Sequence, residues 1–117
     1  MPHKSPEELN ADAHKMLNEL LAREEPLKPK DRMAIPPQDM PAQDAGQRRS
    51  NINEVALGYS EAQARLEAMR CLQCKNAPCV EGCPVRIDIP GFVQAIADGN
   101  YAHAASIIKL SSLLPAI

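Results

Sequence analysis

Apolar residues recur at helical spacing in four stretches of this 117-residue chain, and each stretch carries its own start signal. In the first, Leu9, Ala13, Met16, Leu17, Leu20 and Leu21 repeat every three or four positions. Ser5 precedes them as a cap, Pro6 takes the first helical position and Glu8 completes a capping box, which predicts a helix over 6–24. A stripe of this kind packs on the rest of its own protein more often than it serves as a dedicated docking helix. In the second stretch Ser60 opens a helix with Gln63 in the capping-box position, and Ala62, Ala64, Leu66 and Met69 form its apolar side, running into Cys71. In the third, Asp88 caps a helix starting near Pro90, with Phe92, Val93, Ile96 and Ala97 on one face and Gly99 as its stop. Asn100 then caps the fourth, where Tyr101, Ala104, Ala105 and Ile108 align until Pro115 ends the pattern. The last two helices meet at Gly99–Asn100 and predict a helical hairpin.

Between the first two stretches the pattern is lost. Five of the eleven prolines fall from Pro26 to Pro41, which excludes a long helix or a central strand there. This segment predicts an extended arm that wraps over other structure, with a short helical turn near 41–49. No convincing period-two alternation exists anywhere, so the fold class is all-α. The division is an N-terminal amphipathic helix (1–25), a Pro-rich arm (26–50) and a helical domain (51–117) that contains a cysteine loop.

Composition limits the core. Aromatic residues are only Tyr59, Phe92 and Tyr101, so the interior depends on Leu, Ile, Val, Met and Ala, and a bound cofactor or partner surface would add to a thin core. The net charge is −2, with eight Lys/Arg against nine Asp/Glu in residues 1–50 and five against six thereafter. Neither half forms a basic nucleic-acid surface. The start MPHKSPEELN lacks the apolar core of a signal peptide, and no run is apolar enough to cross a membrane. The expectation is a cytoplasmic protein, in which clustered thiols stay reduced and bind metal or do redox work.

All four cysteines lie in RCLQCKNAPCVEGCPVR, as C-x2-C-x4-C-x3-C with Pro84 next. Pro78, Gly82 and Pro84 make the run a compact loop. The bacterial ferredoxin pattern is C-x2-C-x2-C-x3-C-P, whose last cysteine serves the other cluster of a pair. On that logic Cys71, Cys74 and Cys79 belong to one [4Fe-4S] cluster and Cys83 to a second. Arg70, Lys75 and Arg86 flank the run and are read first as solvated side chains, none a ligand. Zinc ranks second. A zinc knuckle, C-x2-C-x4-H-x4-C, would need a Cys for its His and a shorter last gap, and the loop lacks the aromatics with which knuckles stack RNA. A Cys71–Cys74 redox couple lacks a thioredoxin-like strand–helix alternation and leaves Cys79 and Cys83 unexplained. Ordinary cysteines would not all gather in thirteen residues. The histidines at 3, 14 and 103 are distant and read as surface residues.

The segment NEVALGYSEAQARLEAMRCLQCKNAPCVEGCPVRIDIPGFVQAIADGNYAHAA resembles the N-terminal iron–sulfur domain of the glutamate synthase small (beta) subunit, of related flavin reductases and of dihydropyrimidine dehydrogenase. The resemblance covers roughly residues 50–117. It implies a small helical ferredoxin-like domain holding two [4Fe-4S] clusters, with Cys71, Cys74 and Cys79 as ligands of the first, Cys83 as a ligand of the second, and no catalytic residue. It further implies FAD- and NAD(P)H-binding domains downstream, electron flow from NAD(P)H through FAD and the clusters to a partner flavin subunit such as the large subunit of glutamate synthase, and no nucleic-acid or membrane partner. The family supplies its remaining cysteine ligands after the LPAI stretch at 114–117, and no G-x-G-x-x-G occurs here. The expectation is therefore a fragment that is not catalytic alone, and that is apo, holds one labile cluster through four thiols, or takes up zinc. A rival from a different class is a non-redox subunit-docking module whose cysteine loop is a structural zinc staple.

Overall fold

The computed structural model describes residues 4–113. Pro115 and the LPAI stretch, like His3, lie outside them. Helices are the only regular elements among the described residues: α1 (Pro6–Leu21), α2 (Pro29–Ala34), α3 (Ala45–Arg48), α4 (Glu61–Met69), α5 (Pro78–Gly82), α6 (Ile89–Ala97) and α7 (Tyr101–Lys109). The expected all-α class is what the chain adopts. A single antiparallel bridge between Ala42 and Ala56 is its only β-type pairing among these residues.

α4 is the centre of the packing. α1 and α6 both pack against it, and α7 packs on α6. The core joins Ala13 and Leu17 of α1, Ile35 of the arm, Ala62, Leu66, Ala68 and Met69 of α4, and Ala97 of α6. Its contributors are small, as the scarcity of aromatics requires, and alanines let the helix axes approach closely. The stripe on α1 packs internally as expected, although Leu21 is half exposed and does not join it.

Local signals set the helix starts. Ser5 Oγ accepts from the Glu8 amide at 3.3 Å while the Ser5 amide donates to Glu8 Oε2 at 2.8 Å. Ser60 and Gln63 repeat the arrangement at 3.3 and 3.1 Å. α1 ends three residues before the expected 24. Glu24 and Glu25 are unfavourable at the negative end of a helix dipole, and Pro26 disfavours helical backbone at the residue before it. α6 ends in a Schellman motif: Gly99, at φ +82°, donates its amide to Ile96 O, and the Asn100 amide donates to Ala95 O, each at 2.9 Å. Asn100 then caps α7 by accepting from the His103 amide, which closes the expected hairpin.

The Pro-rich arm is not simply extended, because it contains α2. Pro29 sits at the first helical position and the Asp31 carboxylate reaches back to the Lys28 amide at 3.1 Å, which satisfies a donor at the helix start. α3 fulfils the expected turn near 41–49, started by Asp44, whose side chain accepts from the amides of Gly46 and Gln47. Beyond α2 the arm is tied to α4. Ile35 is buried in the core, the Gln38 amide donates to Glu67 Oε2 at 3.0 Å, and Tyr59 Oη donates to Gln38 O at 3.0 Å.

Candidate functional site: the cysteine loop

The chain leaves α4 at Arg70, turns through the cysteine run and α5, and re-enters the bundle at α6. Cys71 follows the α4 C-cap directly, and its amide still bonds to Ala68 O at 3.2 Å. Cys74 lies in the open bend, Cys79 lies within α5, and Cys83 is the C-cap of α5. None is in a disulfide; Cys71 and Cys83 are half-buried and Cys74 and Cys79 exposed. The structure thus places all four expected residues on one surface loop. It does not gather them at one point: among the described residues no three His, Cys, Asp or Glu side chains converge as a metal-binding group.

Three non-glycine residues with positive φ shape this loop: Gln73 (53°), Ala77 (36°) and Arg86 (52°). Such values are uncommon for residues with a Cβ and persist where surrounding contacts fix them. Gln73 shows those contacts. Its Nε2 donates to Cys71 Sγ at 3.5 Å and to Pro90 O at 3.1 Å, which ties the first cysteine to the first turn of α6. At the other end, the backbone at Ile87, and after it Val85, lowers the Cys83 thiol below its ordinary value, while the Arg86 amide donates to the Cys83 carbonyl at 3.0 Å. Cys74, Lys75, Asn76, Pro78 and Glu81 line an open concavity of about 670 Å³ beside them.

Charge around the loop is unevenly placed. Arg70 is paired with Glu67, so its charge is spent within α4. Lys75 and Arg86 are exposed, as read from the sequence. The contact the sequence did not disclose is Arg32 of α2. Its Nη1 donates to Met69 O at 3.0 Å and to Cys71 O at 3.1 Å. No local signal could have found it, because the partners lie 37 and 39 residues along the chain. Gln73 was missed for a different reason: Gln has no preference for the left-handed conformation it adopts.

The donor type is the one a cluster takes, thiolate sulfur. Four unpaired thiols lie on one loop, and the Gln73 amide already donates to the sulfur of Cys71, as in sites where hydrogen bonds to sulfur tune an iron–sulfur centre.

Comparison with known proteins agrees with this chemistry. Residues 48–117 match the family described as dihydropyrimidine dehydrogenase domain II, 4Fe-4S cluster. Among curated relatives, the NAD-dependent dihydropyrimidine dehydrogenase subunit PreT homolog of Salmonella typhi is 35% identical over 66 residues, 56% of this chain and 16% of its own length. The glutamate synthase [NADPH] small chain of Halomonas elongata is 32% identical over 80 residues, 68% of this chain and 17% of its own. The PreT subunit of Escherichia coli is 33% identical over 66 residues, 56% of this chain and 16% of its own length. The chain therefore spans about a sixth of the length of the curated relatives it matches.

Proposed function

The chain belongs to the dihydropyrimidine dehydrogenase domain II family of 4Fe-4S cluster domains, and from that premise we propose that it is the electron-relay domain of an NAD(P)H-dependent flavin and iron–sulfur oxidoreductase. When bound, such a cluster stores and passes single electrons. The chain's own residues supply its ligands and surroundings. Cys71, Cys74 and Cys79 hold one cluster and Cys83 contributes to a second. Gln73 donates to the sulfur of Cys71, and the backbone at Ile87 and Val85 lowers the Cys83 thiol, so both favour the thiolate form that a ligand must supply. No side chain is assigned a catalytic role.

The observation that carries this reading is the C-x2-C-x4-C-x3-C-P run on a loop in which Gln73 already donates to the sulfur of Cys71. The parent enzyme is proposed to carry FAD and NAD(P)H domains and to resemble the glutamate synthase small chain or PreT, both of which are similar here. The proposal includes a cytoplasmic setting, where clustered thiols stay reduced; no helix among the described residues is long and apolar enough to cross a membrane. The rival docking module draws less support, because the apolar stripe it would offer is occupied: Ala13 and Leu17 are buried in the core with α4. Anaerobic reconstitution of the full-length protein with iron and sulfide tests the proposal. The expected result is broad visible absorption that bleaches on reduction, with a paramagnetic signal from the reduced cluster. Stoichiometric zinc with no cluster signal overturns it.

A further inference from the structure

Arg32 lies sixteen residues before the segment that matches the iron–sulfur family, which starts at residue 48. Its guanidinium nevertheless bonds the carbonyls on either side of the α4 exit, Met69 at 3.0 Å and Cys71 at 3.1 Å. We propose that Arg32 is a positioning residue for the cluster loop, and that the arm carrying it is a working part of the cluster holder rather than a spacer. The inference rests on the electron-relay reading above.

Three observations support it. The last carbonyls of a helix have no intrahelical partner, and a cation there is favoured by the helix dipole. Arg32 answers both needs with charge-assisted bonds, and one of its two acceptors is the backbone of the first cysteine. The direction in which the chain leaves α4, and with it the placement of Cys71, is thereby fixed from outside the loop. Secondly, Arg32 is itself held. Pro29 and Asp31 build the short helix that presents it, Ile35 anchors the arm in the core at 6% exposure, and the Gln38 amide grips Glu67 on the same last turns of α4. Thirdly, the ion pairs among the described residues are Lys4–Asp12, Arg23–Asp31 and Arg70–Glu67. Arg32 is in none of them, so its charge acts on the α4 end and the loop without a neutralising carboxylate. A positive charge held beside thiolate ligands favours the more negative, reduced cluster.

A plain helix-capping role makes a different prediction, and the fold contains its control. Arg65 Nε donates to Ala97 O at 3.1 Å and caps the end of α6, with no cysteine beside it. In the full-length protein loaded with clusters, Arg32→Gln, Arg32→Lys and Arg65→Gln are compared by iron release to a ferrous chelator, by midpoint potential and by thermal melting. Arg32→Gln is expected to release iron about tenfold faster, as loss of an outer-shell partner does at metal sites, and to show a lower potential. Arg32→Lys keeps the charge, but its ammonium ends one bond short of Nη1 and cannot span both carbonyls, so it loses the two-carbonyl fork, keeps the potential and still releases iron severalfold faster. Arg65→Gln lowers the melting temperature and leaves release and potential unchanged. Unchanged release and potential in Arg32→Gln, or equal shifts in Arg65→Gln, overturn the proposal. Should Arg32→Gln fail to accumulate, Arg32→Lys decides: faster release at an unchanged potential supports the fork, and a wild-type rate overturns it. A wild-type protein that takes up no cluster overturns the electron-relay reading and this inference together, whereas a loaded wild type with an inert Arg32 overturns this inference alone.

Discussion

The side chain of Gln63 is fully buried on α4 and donates from Nε2 to the backbone carbonyl of Asp39 at 2.9 Å. Its Oε1 accepts from the Ser60 amide at 3.1 Å. One residue therefore starts the central helix and fastens the Pro-rich arm across it. Both halves of the amide are used, so the near-isosteric Gln63→Glu separates them. A carboxylate keeps the Ser60 bond but faces the Asp39 carbonyl with no proton to give. A loss of about 2 kcal/mol at pH 7 is expected from a buried acceptor left unpaired. The loss shrinks on acidification, because a protonated carboxyl can donate to Asp39 again. Urea unfolding of the variant and wild type at pH 7 and pH 4.5 reads this difference; an equal deficit at both pH values would count against the assignment.

The turn into α6 carries a second coupling. The Asp88 carboxylate accepts from the Gly91 amide at 3.1 Å. A Cβ added at residue 91 would stand 2.1 Å from Asp88 Oδ2 and 2.7 Å from its Cγ. Gly91→Ala must therefore expel the cap, at a cost of about 1–2 kcal/mol. In an Asp88→Ala background the obstacle is already gone. The same Gly91→Ala should then be neutral or stabilising, since Ala exceeds Gly in a helix by about 1 kcal/mol. A double-mutant cycle by denaturant unfolding should show this change of sign, and additive effects would mean that the cap and the glycine are independent.

Tyr101, at the start of α7, gives the alkaline limb of the stability profile a specific source. Although the residue is 39% exposed, partial desolvation, and after it the negative charge of Glu61, raise its phenol above the ordinary value of 10.0. A group whose folded pKa lies above its unfolded value contributes fully below the unfolded pKa, and that contribution is lost as pH rises through the folded pKa. Wild-type stability should therefore fall more steeply than that of Tyr101→Phe as pH rises above about 10. Melting temperatures of the two proteins between about pH 9 and pH 11 make the comparison. Parallel profiles would remove Tyr101 as the cause.

Which parts of this structure the sequence discloses follows from how far apart the interacting groups lie. Ser5 with Glu8, Ser60 with Gln63, and Asn100 with the amide of His103 are partners three residues apart. A reader of the sequence can place each of them, and with them the start of three helices. The end of α1 was overshot because the apolar repeat fades gradually while the acidic pair and Pro26 act on the backbone. α2 was hidden by proline content, although Pro29 and Asp31 form a helix start of ordinary kind. Gln63 looked like a cap and nothing more, because its second partner, Asp39, is 24 residues away. The cysteine spacing named the chemistry of the loop. It did not disclose how the loop is built: the left-handed residues Gln73, Ala77 and Arg86 are not glycines, and Gln73 is held by a contact to Pro90, 17 residues along the chain.

The proposed division of the cysteines is open to direct test. Cys71, Cys74 and Cys79 enter one cluster on this reading, while Cys83 serves another. Cys83 differs from Cys71 in its surroundings: the backbone at Ile87 and Val85 lowers its thiol, whereas the sulfur of Cys71 accepts from Gln73. Serine at 71, 74 or 79 should therefore remove the same paramagnetic signal and leave any signal from a second centre. Cys83→Ser should do the reverse. Ser has the size of Cys but is a poor ligand for iron, so the loss in each case should reflect ligation rather than packing. Iron per chain and quantified paramagnetic resonance of the reduced full-length protein read the outcome. Should all four variants lose one and the same signal, the run is a single four-thiol site, and the three-plus-one assignment is wrong even though the iron chemistry stands.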